Sequence, residues 1–275
     1  MRRDGGTALI LVLWVLALLT TLGGLFALET RIRRNLGQAA WDGLRARAAA
    51  HSILNLVLAA RRAGGEAAMP ADGLPRAVVL GGREVTFTLE DERGKVDLNQ
   101  APEALIRAVV EGLFGMEGRE RAAAVADGIL DWRDADDLPR LDGAEAPNYE
   151  ARVPPIRPAD GPFHLVEELL LVHGVTRTAF EGTSLAGRAG EAPPAIGLRR
   201  VFTVYNGTDR VDTRFAPAPL RELVPGTMAG EITGAGVLRL QVAWGGRRVE
   251  IYFRPRAGGG AETLQWTEGG WPGGG

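Results

Sequence analysis

The stretch TALILVLWVLALLTTLGGLFAL, Thr7 to Leu28, has 22 residues and no charge. As a helix it spans about 33 Å at roughly 1.5 Å per residue, enough for a bilayer core of about 30 Å. It is too long for the apolar run of an ordinary secretory signal. The nearest small-x-small site, Leu25-Phe26-Ala27, carries a bulky residue at its first position. A retained anchor is therefore expected. Beyond Glu29 the positions Ile32, Leu36, Ala40, Leu44, Ala48, His51, Leu54 and Leu58 recur at steps of three and four, and all but His51 are apolar. No proline precedes Pro70. The pattern predicts one helix from about Thr7 to Arg62, half in lipid and half against a soluble domain, with Gly23-Gly24 as a place to bend and Gly64-Gly65 as its end. Arg2 and Arg3 favour a cytoplasmic N-terminus, and Arg31, Arg33 and Arg34 flank the other end.

Outward from that helix the periodicity changes twice. Glu84 to Glu90 alternates with Val85, Phe87 and Leu89 on one face, and Gly81-Gly82 marks a hairpin turn after Val78-Val79-Leu80. Helical spacing follows Pro102, again over Ala122–Trp132, and again over Val166–Val172, with an Asp-, Pro- and Gly-rich loop from Arg133 to Pro162. Strands are expected at Val201–Tyr205, in a hairpin over Leu238–Phe253 that turns at Gly245-Gly246, and at an edge over Leu264–Trp266. The fold class is α+β: a long N-terminal transmembrane and amphipathic helix on an antiparallel sheet, with a large inserted all-α domain. The division expected is 1–6 leader, 7–28 transmembrane helix, 29–98 helix and first strands, 99–196 inserted helices, 197–268 returning strands and 269–275 disordered tail.

Composition excludes several function classes. The chain has 275 residues, no cysteine and a formal net charge of −2. Disulfides, thiolate metal sites and cysteine nucleophiles are therefore ruled out, and a general nucleic-acid binder would want a cationic excess. Lys95 is the single lysine among 32 basic residues. Gly182 to Gly187 falls short of a nucleophile elbow, because Ala186 stands at the closing glycine. His164 and His173 lie in an apolar stretch without a catalytic partner pattern, and no phosphate loop or His-Glu-x-x-His is present. No enzyme is expected.

The blocks DERGKVDLNQAP (Asp91–Pro102), ADGILDWRDADD (Ala126–Asp137), DGAEAPNY (Asp142–Tyr149), GPFHLVEELLLVHGVT (Gly161–Thr176) and FTVYNGTDRVDTRFAP (Phe202–Pro217), together with the leader and long helix, resemble the type II secretion minor pseudopilin K family of type IV pilin-like proteins. The resemblance implies a pilin-like fold and cleavage by prepilin peptidase between Gly6 and Thr7, with Gly5 as the alternative scissile glycine and methylation of the new amino group. It implies a single-pass protein of the bacterial inner membrane with its soluble domain in the periplasm. It places the chain at the tip of the secretion pseudopilus with minor pseudopilins I and J, above the major pseudopilin and an inner-membrane assembly platform. There it would help to initiate and cap the filament that exports folded proteins. Most pilin-like proteins carry a glutamate at the fifth residue after the cut; here that residue is Leu11.

Asp131, Asp134, Asp136, Asp137, Asp142 and Glu145 put six carboxylates within fifteen residues. Hard cations such as Ca²⁺ take six to eight oxygens, often from one acidic loop. The order misses the EF-hand template, but relatives in the resembled family imply calcium, with Asp134, Asp136 and Asp142 the preferred ligands. A solvated acidic loop is the alternative. A membrane-anchored periplasmic DNA receptor is the rival function, since Leu98–Pro102 and Val166–Thr176 look like helix–hairpin–helix elements. The acidic stretch 126–150 opposes phosphate, and Val175-Thr176 stands where a second glycine would approach it, so no nucleic-acid partner is expected.

Overall fold

The computed structural model describes residues 5–64, 69–182 and 196–270. Helix α1 runs unbroken over Gly5–Ala63, through Gly23-Gly24, and is the one helix among the described residues long and apolar enough to cross a membrane. Its last third is the part that folds. Ala46, Ala49, Ala50, Ile53, Leu54, Val57 and Leu58 are buried there, whereas the residues from Leu9 to Leu36 are exposed. The change follows from what α1 meets: three alanines let a sheet approach closely, and Ile53, Val57 and Leu58 fill the space above it.

The sheet has five antiparallel strands in the order β1 (Arg76–Leu80), β2 (Arg83–Asp91), β5 (Leu238–Trp244), β6 (Arg247–Pro255) and β7 (Ala261–Gly270). Alternation decides the register. Leu238 pairs with Phe253, Leu240 with Ile251 and Val242 with Val249, and these residues join Val85, Phe87 and Leu89 in one core beneath α1. Both short turns, Gly81-Gly82 and Gly245-Gly246, use two consecutive positive φ angles, which the twist of the strands favours and glycine adopts without strain. β7 is far longer than the expected Leu264–Trp266. Trp266 stacks on His51 of α1 at 4.7 Å and Glu268 pairs with Arg47 at 2.5 Å, so the last strand is clipped to the helix as well as to β6. Gly269 and Gly270, expected to begin a disordered tail, pair instead with Arg248 and Arg247. The remainder of that tail, and Met1–Asp4 of the leader, lie outside the described residues.

Between β2 and β5 the chain builds a second unit with its own core. It contains β3 (Val96–Asp97), α2 (Glu103–Phe114), α3 (Arg119–Arg133), α4 (Ala146–Glu150), α5 (Arg177–Glu181), α6 (Leu198–Val201), β4 (Phe202–Thr203) and α7 (Ala218–Leu223). The core reaches from Val96 to Val224, so the insertion is wider than 99–196 and the strands of the main sheet return at Leu238 rather than at 197. Phe202 explains the difference. It buries in the helical core, and its strand shrinks to two residues paired in parallel with Val96–Asp97; Thr203 Oγ1 then takes the Tyr205 N–H and ends the ladder. Val166–Leu170 is a 3-10 helix rather than an α-helix. The Glu168 carboxylate reaches back to the N–H groups of His164 and Leu165 and fixes the tight first turn.

The two units meet through charge. Where one sheet face carries the α1 core, the other presents Glu90, Arg239, Gln241, Glu250 and Tyr252, all but Gln241 buried. Arg239 grips Glu250 with two bonds of 3.0 Å, and Glu250 also receives Arg199 of α6 at 3.0 Å, while Arg199 reaches Glu181 at 3.2 Å. Lys95, at the entry to the helical unit, bridges Glu90 at 2.8 Å and Glu92 at 2.5 Å. Burial opposes ionisation of Glu90, but the charges of Lys95 and Arg239 outweigh it and hold the carboxyl at about 2. Glu250 is likewise held at about 2, burial being overcome by Arg239 and Arg199.

Close approach of two backbones fixes the same junction. A Cβ on Gly94 would sit 2.5 Å from the Phe215 carbonyl oxygen and 2.6 Å from the Ala216 nitrogen. Neither neighbour is a flexible side-chain end. Gly94→Ala is expected to cost about 3 kcal/mol through overpacking, read as a lowered midpoint in urea unfolding of the soluble region. An unchanged midpoint would mean that this contact relaxes.

Candidate functional site: an acidic loop on the helical unit

Asp127 and Asp131 fall on one side of the last two turns of α3, because a step of four returns to the same helix face, and Asp134 follows as the residue that ends the helix. The loop that leaves α3 folds back over them. Asp131 is fully buried. One of its oxygens accepts Arg140 Nη1 at 2.6 Å, and the other accepts the backbone N–H groups of Arg140 at 3.2 Å and Ala144 at 2.9 Å. Asp134 shares the same guanidinium nitrogen at 2.6 Å. Asp127 accepts the Asp142 N–H at 3.1 Å and pairs with Arg107 at 2.5 Å. Burial works against the Arg140 charge, but the bonds to Asp134 and Asp131 hold its pKa above the ordinary arginine value.

An aromatic floor sets the position of this loop. Trp132 meets Tyr149 edge-on at 5.4 Å and stacks with Phe163 at 6.1 Å. Asn99 clamps the Phe163 backbone with two bonds, of 2.7 and 2.9 Å, and the Tyr149 hydroxyl accepts the His173 N–H at 3.0 Å. Arg133 donates to the carbonyls of Leu98 and Ala101, tying the end of α3 to the entry of α2.

Glu145 is the anomaly. It is buried at the start of α4, and neither carboxylate oxygen has a hydrogen-bond partner among the described residues. Burial, then the negative charges of Asp131, Asp134, Asp160 and Asp137, push it up to about 7. Asp134 Oδ1 is buried and unsatisfied as well. Buried polar oxygens without donors are costly, and hard oxygen donors are what Ca²⁺ or Mg²⁺ recognises. The donor chemistry fits a hard cation. The arrangement described, however, does not gather three metal-ligating side chains around one point among the described residues, because the Arg140 guanidinium already stands between Asp131 and Asp134.

Of the six predicted carboxylates, Asp131 and Asp134 share Arg140, and Asp131, Asp134 and Asp137 lie close enough to act on the charge of Glu145. Asp136 turns outward and accepts the Leu138 N–H in a local turn. Asp142 is exposed and enters the cluster through its backbone N–H. Two of the preferred ligands are thus peripheral. Asp127 and Asp160 were not expected. The first could have been found from its position four residues before Asp131; the second depends on how the loop closes. Gly6 and Thr7 lie in the first turns of α1. Ser184 of the near-elbow lies outside the described residues.

With this geometry established, the comparisons are specific. Residues 89–183, which contain the acidic loop, match the family model described as type II secretion system (T2SS), protein K. The type II secretion system protein K of Pectobacterium carotovorum subsp. carotovorum is 27% identical over 199 residues. Both matches make this chain similar to protein K of the type II secretion system. The match takes in 63% of this chain and 59% of the Pectobacterium protein, so less than two thirds of that relative's length is covered. Among solved structures, the GspK-GspI-GspJ complex from the enterotoxigenic Escherichia coli type 2 secretion system contains a chain with a TM-score of 0.54, at 17% identity, covering 88% of this chain and 99% of that one. That likeness speaks to the fold alone: a long helix on a five-stranded antiparallel sheet with a helical insertion.

Proposed function

We propose that this chain is a member of the protein K family and a minor pseudopilin at the tip of the type II secretion pseudopilus, a structural subunit without catalysis. The observation that carries the reading is where the helical unit is attached. β2 leaves the sheet at Asp91 and β5 re-enters at Leu238, the end beside Phe253. The C-terminal end of α1 lies there too, with Arg62 bonded to the Gly259 carbonyl. The opposite end carries the Gly245-Gly246 turn, where Arg247 donates to Ala39. An anchored α1 therefore holds the helical unit at the membrane-distal end, where it would block addition of a further subunit. Ile32, Leu36, Trp41 and Leu44 stay exposed on α1 below the domain and supply apolar surface for neighbouring helices of pseudopilins I and J and of the major pseudopilin.

In this reading α1 is inserted once in the inner membrane, the soluble domain faces the periplasm, and prepilin peptidase cuts between Gly6 and Thr7 before methylation and loading onto the assembly platform. Calcium would have to displace Arg140 from between Asp131 and Asp134 before those carboxylates and Glu145 could converge on it. It would supply positive charge to oxygens that Arg140 satisfies only in part. The soluble region from Gln38 onward, co-purified with the cognate pseudopilins I and J, is expected to form a stable ternary complex. Failure to form one, together with salt-dependent binding to duplex DNA, would favour a membrane-anchored receptor instead.

A further inference from the structure

The apolar span of α1 ends at Leu28, and three arginines follow within six residues. At about 1.5 Å per residue, Arg31 and Arg34 stand roughly 4.5 and 9 Å beyond Leu28. The polar layer of a bilayer extends about 5–8 Å beyond its hydrocarbon on each side. An upright α1 therefore places Arg31 within the headgroups and Arg34 at their outer edge. Their surroundings differ from those of the arginine between them. Arg33 is held by Glu29 at 2.6 Å, while Arg31 and Arg34 are exposed and pair with no carboxylate among the described residues. The soluble domain does not cover them either: Arg247 bonds α1 at the Ala39 carbonyl, five residues beyond Arg34, and Ala46 is the first buried residue of the helix among those described.

From this we infer that Arg31 and Arg34 form a binding site for the headgroup phosphates of anionic phospholipids in the leaflet that faces the soluble domain. The inference rests on the membrane-spanning reading of α1. Two guanidiniums three residues apart lie on one side of a helix, so both can engage phosphates at the same lipid surface, each by forked hydrogen bonds. The site would explain why three cations flank this end of the span when they weaken the charge asymmetry that orients it. It also makes release from the lipid a charge-dependent step, since leaving the membrane must exchange phosphate contacts for water or for acidic groups on neighbouring subunits.

The full chain, in nanodiscs of mixed phosphatidylglycerol and phosphatidylcholine, provides the test, with co-purified lipid counted by native mass spectrometry after release. The wild type should retain phosphatidylglycerol over phosphatidylcholine. Arg31→Gln with Arg34→Gln should reduce that preference several-fold, since each cation near an anionic surface changes partitioning about fivefold. Arg45→Gln, about 25 Å beyond Leu28, should leave it unchanged, and added inorganic phosphate should not abolish it. Equal preference in the double variant, or the same loss in Arg45→Gln, would overturn the site. Carbonate extraction of the wild type from cell membranes separates the two readings. Release would sink the spanning helix itself, whereas retention without lipid preference would sink only the headgroup site.

Discussion

Lys95→Met is expected to lower the melting temperature of the soluble region by about 10 °C. The ammonium is almost fully buried and lies within 2.8 Å of both Glu90 and Glu92. Removing it leaves two carboxylates facing each other in a dry junction, and breaking a buried pair in this way costs about 3–5 kcal/mol. Each kcal/mol shifts a domain of this size by about 2–4 °C. Lys95→Met combined with Glu92→Gln should recover part of the loss, because the second change removes one of the stranded charges. A melt within 2 °C of wild type for the single variant would show that the junction is wetter than its burial implies.

The same network sets an acid limit. Glu90 and Glu250 are held at about 2, below the ordinary 4.5, each by paired cations that outweigh burial. A lowered folded pKa means stability that is present above about 4.5 and is lost as the pH falls toward 2. The soluble region should keep its stability down to about pH 5 and lose it steeply between 4.5 and 2. Arg239→Met should be less stable than wild type at pH 7 and show a smaller further loss between 4.5 and 2, because Glu250 without its bidentate partner no longer titrates so far below its unfolded value.

Calcium is the second large expected effect. Millimolar Ca²⁺ should raise the melting temperature of the wild-type soluble region by several degrees. A ligand present at 100 times its Kd stabilises the folded state by about 2.7 kcal/mol. Glu145→Gln should abolish most of that rise while melting no lower than wild type in chelator, since the change removes a buried charge that has no donor. Asp131→Ala behaves differently. It also releases Arg140 and the Ala144 N–H, so it should destabilise the protein by about 3 kcal/mol or more even in chelator. Equal calcium response in wild type and Glu145→Gln would remove Glu145 from the site. No response in either would leave Arg140 as the only cation this cluster requires.

Local pattern carried much of the architecture. The unbroken three- and four-residue spacing and the absence of proline before Pro70 were enough to read α1 almost to its last residue. The pairing of Leu238 with Phe253 across Gly245-Gly246 followed from strict alternation, because a one-residue slip would turn every apolar side chain away from the helix. The blocks from Asp91 to Thr176 lie within the stretch 89–183 that matches the protein K model.

Long-range placement decided the rest. Phe202 reads as part of a longer strand, yet it belongs to the helical core, which no local period can reveal. Lys95 looks like any surface lysine until β2 and the helical unit close around it. In the acidic loop all six carboxylates look equivalent in sequence. Only the return of the chain over α3 buries Asp131 and Glu145 and turns Asp136 outward, because burial and convergence depend on the path of the loop rather than on spacing along it. Sequence alone determined most of the elements and their faces. The tertiary structure decided which charges lost their water, because burial depends on long-range closure of the chain, and those charges govern the stability of the junction.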